Sequence, residues 1–231
     1  MTALPPEAWE ALVLSLKVAA VATLGALPLG LAAAWALARG RFPGRGLLNA
    51  AVHLPLVLPP VVTGWLLLLA FGRRGPVGAV LEQTFGLVLA FRWTGAALAA
   101  GVMGFPLMVR AIRLSLEAVD PRIEQAAATL GASRAWVLAT VTLPLILPGL
   151  AAGAILAFAK ALGEFGATIT FVSNIPGETR TLSTAIHTLL QIPGGEGAAA
   201  RLALVSVAVS LAALLLSERV GRAAARRVAG G

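Results

Sequence analysis

Few side chains in this sequence are able to do chemistry, and their types exclude most kinds of site. There is no cysteine, and the two histidines, His53 and His187, lie far apart in the chain, so neither a thiolate nor a histidine metal site is expected. The histidines and the scattered carboxylates form no arrangement of nucleophile, base and orienting group. The sequence therefore predicts a protein that is not an enzyme and that holds no metal or cofactor of its own.

One pair of opposite charges lies inside a long apolar segment, in the sequence FAKALGEFGA. Lys160 and Glu164 are four residues apart and would share one face of a helix. A charge near the centre of a bilayer costs about 3 kcal/mol on insertion scales. Two interpretations stay open: the residues form an internal ion pair that simplifies insertion, or Lys160 lines an anion pathway in which Glu164 limits how tightly an anion is held.

The composition around these residues is that of a membrane protein. Hydrophobic residues make up 58% of the chain and charged residues 12%, with a mean hydropathy of +0.89, whereas a soluble domain has about 25% charged residues. The formal net charge is +8, and every basic residue except Lys17 and Lys160 is arginine. These arginines flank apolar runs, as membrane topology requires, and no basic face with interleaved aromatics indicates nucleic-acid binding.

Five apolar segments are long enough to cross a bilayer as helices, which takes about 20 residues each. They cover residues 11–38, 47–71, 93–113, 146–172 and 201–217. We therefore predict an all-α polytopic membrane protein, with residues 1–231 in a single transmembrane domain of about five spans. The segment 79–91 is too short and too polar for a sixth span and is expected to be interfacial or re-entrant.

The distribution of arginines predicts the orientation of these spans. Cytoplasmic loops of membrane proteins carry an excess of basic residues. With the N-terminus outside, residues 39–45, the long polar segment 114–145 and the C-terminal tail fall on the inner side, which then holds most of the arginines. We predict a multi-pass protein of the cell (inner) membrane, with the N-terminus outside and the C-terminus in the cytoplasm.

The second span contains several prolines, in the sequence HLPLVLPPVVTG. Pro59 and Pro60 each remove a backbone donor and clash with the preceding turn, so this span is expected to be kinked or partly unwound. Irregular backbone is tolerated in a membrane only where it is buried in protein or lines a cavity. The prolines therefore indicate either a packing kink or a mobile helix that lines a pathway.

The polar segment 114–145 has the signals of two short helices. Asp120 is a suitable N-cap and Pro121 a suitable first residue, Gly131 suits a helix end, and Ser133 is a suitable cap for a second helix. Leu143-Pro144 is expected to end that helix and turn the chain into the next span. We call the resulting helix–glycine–helix unit, residues 120–144, the elbow.

The surface of the elbow is formed by small side chains. Its first helix contains Ala126, Ala127 and Ala128, so the backbone of another protein can approach it closely. The segment lacks the large apolar face and lysine-rich polar face of a helix that lies on a membrane. The sequence therefore favours a contact with a partner protein over a contact with lipid.

The elbow resembles the cytoplasmic EAA loop of ABC importer permeases. The matching residues are Gln125-Ala126-Ala127, Gly131 and Val141-Thr142-Leu143-Pro144. Gln125 stands where the family has glutamate, Val141 stands where it has isoleucine, and Glu124 is one position early. These departures leave open which of Glu124 and Gln125 makes the polar contact.

Longer stretches resemble the permeases of molybdate importers in particular. They include HLPLVLPPVV, FPLMVRAIRLSLEAVD, LAFAKALGEFGATITFVSNIPGETRT and QIPGGEGAAARL; sulfate, thiosulfate and tungstate permeases share the layout. The resemblance implies a type I ABC importer permease fold with a cytoplasmic coupling helix at about residues 120–130. It further implies a homodimer, a separate ATPase dimer that binds ATP and Mg, and a periplasmic or extracellular molybdate-binding protein.

The same resemblance assigns roles to particular residues. ATPase coupling falls to Asp120, Glu124, Gln125, Ala126, Ala127, Gly131, Leu143 and Pro144. The sequence contains no GxxxxGKS or GxxxxGKT pattern, so ATP is expected to be hydrolysed by another subunit. The translocation pathway is expected to include Lys160, Glu164, Pro59 and Pro60.

Residues 173–181, SNIPGETRT, form a predicted turn. It is either a plain loop or a docking surface for the binding protein, with Asn174, Glu178 and Arg180 as contacts. The alternative functions are a sulfate, thiosulfate or tungstate permease, or an anion transporter that works without ATP. The last of these would leave the elbow unexplained.

Overall fold

A computed structural model describes residues 6–229, with side chains up to Arg219 apart from those of Pro6 and Ser217, and its regular structure is entirely helical within this range. The helices are α1 (Pro6–Arg39), α2 (Arg45–Val57), α3 (Pro60–Phe71), α4 (Pro76–Phe85), α5 (Trp93–Ala118), α6 (Pro121–Thr129), α7 (Arg134–Val137), α8 (Leu143–Leu162), α9 (Gly166–Val172), α10 (Leu182–Leu190) and α11 (Glu196–Ala229). A π-helical turn, Leu138–Thr142, joins α7 to α8.

Four helical stretches in the described part of the chain are long and apolar enough to cross a membrane, and a fifth is broken. The four are Glu7–Arg39, Trp93–Ala118, Arg134–Leu162 and Glu196–Leu216. The fifth consists of α2 and α3, which are bent by 117° relative to each other. The all-α polytopic architecture and the break in the second span both agree with the sequence-based expectation.

Helix α5 lies at the centre, packed against α1 and α8. Its contacts rely on small residues, because Ala96, Ala99 and Ala100 are fully buried and Gly104 lies against the backbone of Ala157 on α8. Small residues let transmembrane helices approach closely where lipid provides no hydrophobic driving force between them. This packing sets the positions of both ends of the bundle.

The two ends of the bundle carry different polar structures. At one end, Arg180 lies 3.6 Å from Glu7 at the start of α1, and Arg92 lies 3.6 Å from Glu178; we call this the turn end. At the other, Arg39 at the end of α1 lies beside Glu124 in the elbow; we call this the elbow end. Helices α1 and α5 run from the turn end to the elbow end, and α8 returns.

The prediction that Leu143-Pro144 ends a helix is wrong. The stretch Arg134–Leu162 is continuous, with Leu143 and Pro144 as the first residues of α8. In the preceding π turn the N–H of Leu143 donates to the carbonyl of Leu138, five residues back. A widened turn shifts the carbonyl that a proline ring would otherwise meet, so the helix accommodates Pro144.

Other boundaries differ from the expected ones, and the fifth span, expected over 201–217, is part of α11, which begins at Glu196. The third span was expected to end at residue 113, but α5 continues to Ala118. The fourth was expected to run unbroken over 146–172, but it breaks at residues 163–165, and α9 begins at Gly166. The segment 79–91 begins within α4 (Pro76–Phe85), whose ten residues span about 15 Å and are too few to cross a bilayer, as expected.

Candidate functional site

The elbow is built by the capping residues that the sequence indicated. The Asp120 carboxylate accepts a hydrogen bond from the Arg122 backbone N–H at 2.9 Å, and Pro121 is the first residue of α6. Gly131 has a φ of +87°, which a side chain would strain. The Ser133 hydroxyl accepts from the Trp136 N–H at 3.3 Å. Local capping interactions therefore set the ends of the two short helices in this unit.

The outer face of the elbow is open and partly apolar. Leu130 is 89% exposed and Trp136 56% exposed, and Ile123 is also exposed. None of the residues of α6 is buried, and Ala126 lies on its exposed surface. Exposed apolar side chains on and between the short helices α6 and α7 suit a protein–protein contact.

The polar residues of α6 point in different directions. Glu124 Oε1 lies 3.4 Å from Arg39 Nη2 and accepts a hydrogen bond from the Thr142 hydroxyl at 2.8 Å. Gln125 is exposed, and its side chain makes no hydrogen bond within the described residues. Glu124 therefore makes the contact within this chain, and Gln125 stays on the open face. No signal within the elbow sequence distinguished them, because the contact depends on the end of α1.

The two broken spans meet each other. Helix α3 begins after the break at Pro59, and α9 begins after the break at residues 163–165. The two helices pack along each other, with Gly64 of α3 against the backbone of Ala167 and Gly166 of α9 against the Pro60 ring. The structure thus brings together two groups of predicted pathway residues from distant parts of the sequence, one at Pro59 and Pro60 and the other at Glu164.

Lys160 and Glu164 form an ion pair at this junction. Lys160 Nζ donates to Glu164 Oε2 at 2.6 Å. The Glu164 side chain is 2% exposed and that of Lys160 is 32% exposed. The other oxygen of Glu164 accepts from the Ala167 N–H at 3.0 Å, so this carboxylate also holds the start of α9.

The turn at residues 173–181 is stabilised by hydrogen bonds of its own side chains. Thr179 is fully buried; its hydroxyl accepts from the Ile175 N–H at 2.9 Å and donates to the Ser173 carbonyl at 3.2 Å. Asn174 accepts from Arg180 Nε at 3.2 Å and donates to the Thr188 hydroxyl at 2.6 Å. Two of the three predicted docking residues therefore order the turn itself.

These contacts leave an open cleft at the turn end. A cleft of about 480 Å³ lies between the start of α1 and the turn, and its lining includes Glu7, Glu10, Lys17 and Arg180. Glu178 is paired with Arg92 at the edge of the turn. The turn end thus presents fixed charges of both signs around a concave surface.

The close approach of α3 to α9 makes a testable prediction at Gly64. A Cβ at this position would lie 2.5 Å from the Ala167 carbonyl oxygen, so we expect Gly64→Ala to lower the free energy of unfolding by about 1–3 kcal/mol. Thermal unfolding of the purified protein in detergent measures the change. Gly25→Ala on α1 is the control, because a Cβ there meets no atom within 4 Å. Equal stabilities of the two variants would contradict the packing described.

Comparison with known proteins identifies the family. Residues 26–228 match the family described as "Binding-protein-dependent transport system inner membrane component". The chain belongs to this family. It is therefore a membrane component of a transport system, as the sequence predicted.

The relatives with curated names include permeases named for molybdenum transport and for sulfate transport. The chain is 60% identical over 222 residues to the "Molybdenum transport system permease protein ModB" of Escherichia coli, covering 96% of each chain. It is 56% identical over 209 residues to the protein of that name in Haemophilus influenzae, covering 90% of this chain and 91% of the relative. It is 38% identical over 225 residues to the "Sulfate transport system permease protein CysT" of Salmonella typhimurium, covering 97% and 80%.

Solved structures share the fold. The chain aligns with a bacterial ABC transporter involved in the import of the acidic polysaccharide alginate, with a TM-score of 0.72, 18% identity, and 94% of this chain and 80% of that chain covered. It also aligns with an amino acid ABC transporter, with a TM-score of 0.62, 20% identity and 94% of each chain covered. The chain therefore has the type I ABC importer permease fold, as expected.

Proposed function

We propose that this chain is the membrane-spanning permease subunit of an ATP-driven importer of the oxyanion molybdate. The observation that carries the proposal is the 60% identity to the molybdenum permease of Escherichia coli along almost the whole of both chains. The sulfate permease relative stands at 38% identity, so sulfate is the weaker alternative. Only the sequence layout shared with thiosulfate and tungstate permeases supports those two anions.

The open face of the elbow supports a separate ATPase as the partner. Its small and apolar residues, with Ala126, Leu130 and Trp136 exposed, suit a groove on another protein. Two copies of the chain would form the pathway, and an ATPase dimer that binds ATP and Mg would hold one elbow from each copy. The elbow end is then cytoplasmic and the N-terminus lies outside. An anion transporter without ATP would have no use for this face.

The paired helix breaks support a pathway beside α3 and α9. Irregular backbone at membrane depth is tolerated where it lines a cavity, and the exposed Pro59 and Pro60 lie next to the junction with Glu164. Lys160 provides a partly exposed cation for an oxyanion there. The carboxylate of Glu164 competes with the oxyanion for this cation and so prevents the oxyanion from binding too tightly to be released.

The turn end supports docking of a molybdate-binding protein. The turn that contains Asn174, Glu178 and Arg180 is rigid because its own residues pin it, and it borders the charged cleft. A preorganised surface binds a partner with a smaller loss of conformational entropy. These residues would act mainly by holding the docking surface in shape.

Reconstitution of the chain with its ATPase and its molybdate-binding protein in proteoliposomes tests the function. We expect molybdate uptake that stops when ATP is omitted and that is at least about tenfold faster than sulfate uptake, a difference of about 1.4 kcal/mol. Uptake without ATP would show a secondary transporter. Equal or faster uptake of sulfate, thiosulfate or tungstate would assign a different oxyanion.

A further inference from the structure

The contact between Glu124 and the rest of the bundle joins elements that are distant in sequence. Glu124 Oε1 lies near Arg39 of α1 and accepts from Thr142 in the π turn before α8. Arg39 Nη2 also donates to the carbonyls of Leu116, at 3.2 Å, and Val119, at 3.5 Å, at the end of α5. One carboxylate and one guanidinium therefore connect α1, α5, α6 and α8. We call Glu124, Arg39 and Thr142 the latch.

The latch stands out because α6 has little other attachment to the bundle. None of its residues is buried, so no apolar core joins this helix to the transmembrane helices. The other side-chain hydrogen bonds of α6 and its cap in the described residues are local, from Arg122 N–H to Asp120 and from Thr129 to the Ala126 carbonyl. Among the described residues, only the side-chain polar contacts of Glu124 join α6 to the bundle.

The π turn directs the Thr142 side chain towards Glu124. Thr142 is 1% exposed and is the last residue of the five-residue π turn. Each residue turns an α-helix by about 100°, so inserting one residue redirects every side chain that follows. A regular helix in this place would point position 142 away from Glu124. π turns inside helices occur often at functional sites, and here the turn completes a contact that crosses two elements.

We propose that Glu124 is the positioning residue through which movement of α6 reaches the transmembrane helices, with Arg39 and Thr142 as its receiving partners. This inference rests on the proposed function, in which an ATPase moves the elbow. Gln125 and the alanines then hold the ATPase on the open face, while Glu124 passes the displacement inward. Loss of the latch leaves α6 attached to the ATPase but free to shift relative to α1 and to the π turn that leads into α8.

Two isosteric variants test the latch in the complete reconstituted importer. Glu124→Gln removes the charge and Thr142→Val removes the hydroxyl donor. We expect the molybdate taken up per ATP hydrolysed to fall about tenfold, within the range seen for changes along coupling networks. The amount of ATPase that copurifies should stay unchanged.

Each variant has a matched control. Glu117→Gln makes the same change in the exposed Arg113–Glu117 pair at the end of α5. Thr140→Val removes a neighbouring hydroxyl that bonds only to its own helix, at the Trp136 carbonyl. Both controls should keep the wild-type uptake per ATP.

Spin labels give a second readout that a purely structural role would not change. The chain has no cysteine, so single cysteines at the exposed positions Arg122 on α6 and Leu156 on α8 report distances between the two copies. ATP should change both distances in the wild type and only the Arg122 distance in the Glu124→Gln and Thr142→Val variants.

Several outcomes would overturn the proposal. They are unchanged uptake per ATP in both latch variants, an ATP-induced change of both label distances in those variants, and loss of ATPase binding in Glu124→Gln, which would place Glu124 at the ATPase contact. Failure of the proposed function gives a different result, because the wild-type chain itself would then show no ATP-dependent uptake.

Discussion

Tryptophan in place of Ala126 should prevent the chain from holding its ATPase. Ala126 lies on the open face of α6, so the larger ring has room to extend away from the bundle, and folding should be unaffected. The tryptophan ring would clash with a close-fitting groove on the ATPase and so keep the elbow out of it. Truncation of dominant interface contacts commonly costs 2–4 kcal/mol, so we expect association to weaken about 100-fold or more. Binding of the purified ATPase to the reconstituted chain measures this loss.

The control for this prediction is Ala200→Trp. Ala200 is also an exposed alanine on a helix, but it lies near the start of α11 and outside the elbow. The Ala200→Trp variant should bind the ATPase as the wild type does. If Ala126→Trp bound the ATPase normally and supported ATP-dependent uptake, the open face of the elbow would not be the ATPase contact.

Methionine in place of Lys160 should destabilise the chain strongly. The change leaves the Glu164 carboxylate, with a side chain only 2% exposed, without its counter-charge. Removing one partner of a buried ion pair costs about 3–5 kcal/mol. We expect a large fall in the thermal unfolding temperature of the purified protein in detergent and a low yield from membranes.

The double variant Lys160→Met/Glu164→Gln separates stability from transport. A glutamine at position 164 is still able to accept from the Ala167 N–H, as Glu164 does, and no charge is left unpaired. Stability should return to within about 1–2 kcal/mol of the wild type, since exchanging a whole buried pair for neutral residues is often nearly neutral. Molybdate uptake should nevertheless stay at least about tenfold lower, a barrier change of about 1.4 kcal/mol, because the proposed pathway has lost its cation. Wild-type uptake by the stable double variant would show that the pair has a structural role only.

The elbow was predictable because each of its signals acts over a few residues. Asp120 and Ser133 cap helices whose first N–H groups lie two or three residues away, and Gly131 adopts its positive φ where the first helix has ended. The long apolar runs were predictable for a similar reason, because bilayer thickness sets how many apolar residues a span needs. Such features depend on composition and spacing alone.

Features that depend on a neighbouring element were missed or left open. Pro144 is a helix breaker by local rules, yet the π turn before it accommodates the ring. The apolar run over 146–172 gave no sign that the helix breaks at residues 163–165, because the break is held by Glu164 and by the packing of Gly166 against Pro60. The roles of Glu124 and Gln125 were likewise open until Arg39 was placed beside one of them.

The amino-acid sequence by itself determined that this chain is a helical membrane protein with a capped elbow and an importer-permease pattern, since hydropathy, caps and motif spacing are local properties. Only the tertiary structure decided that α3 and α9 meet at their breaks and that Glu124 reaches Arg39, 85 residues away along the chain. Contacts of this kind depend on how close packing of small residues on α1, α5 and α8 aligns whole helices. No short stretch of the sequence specifies how these helices are placed relative to one another.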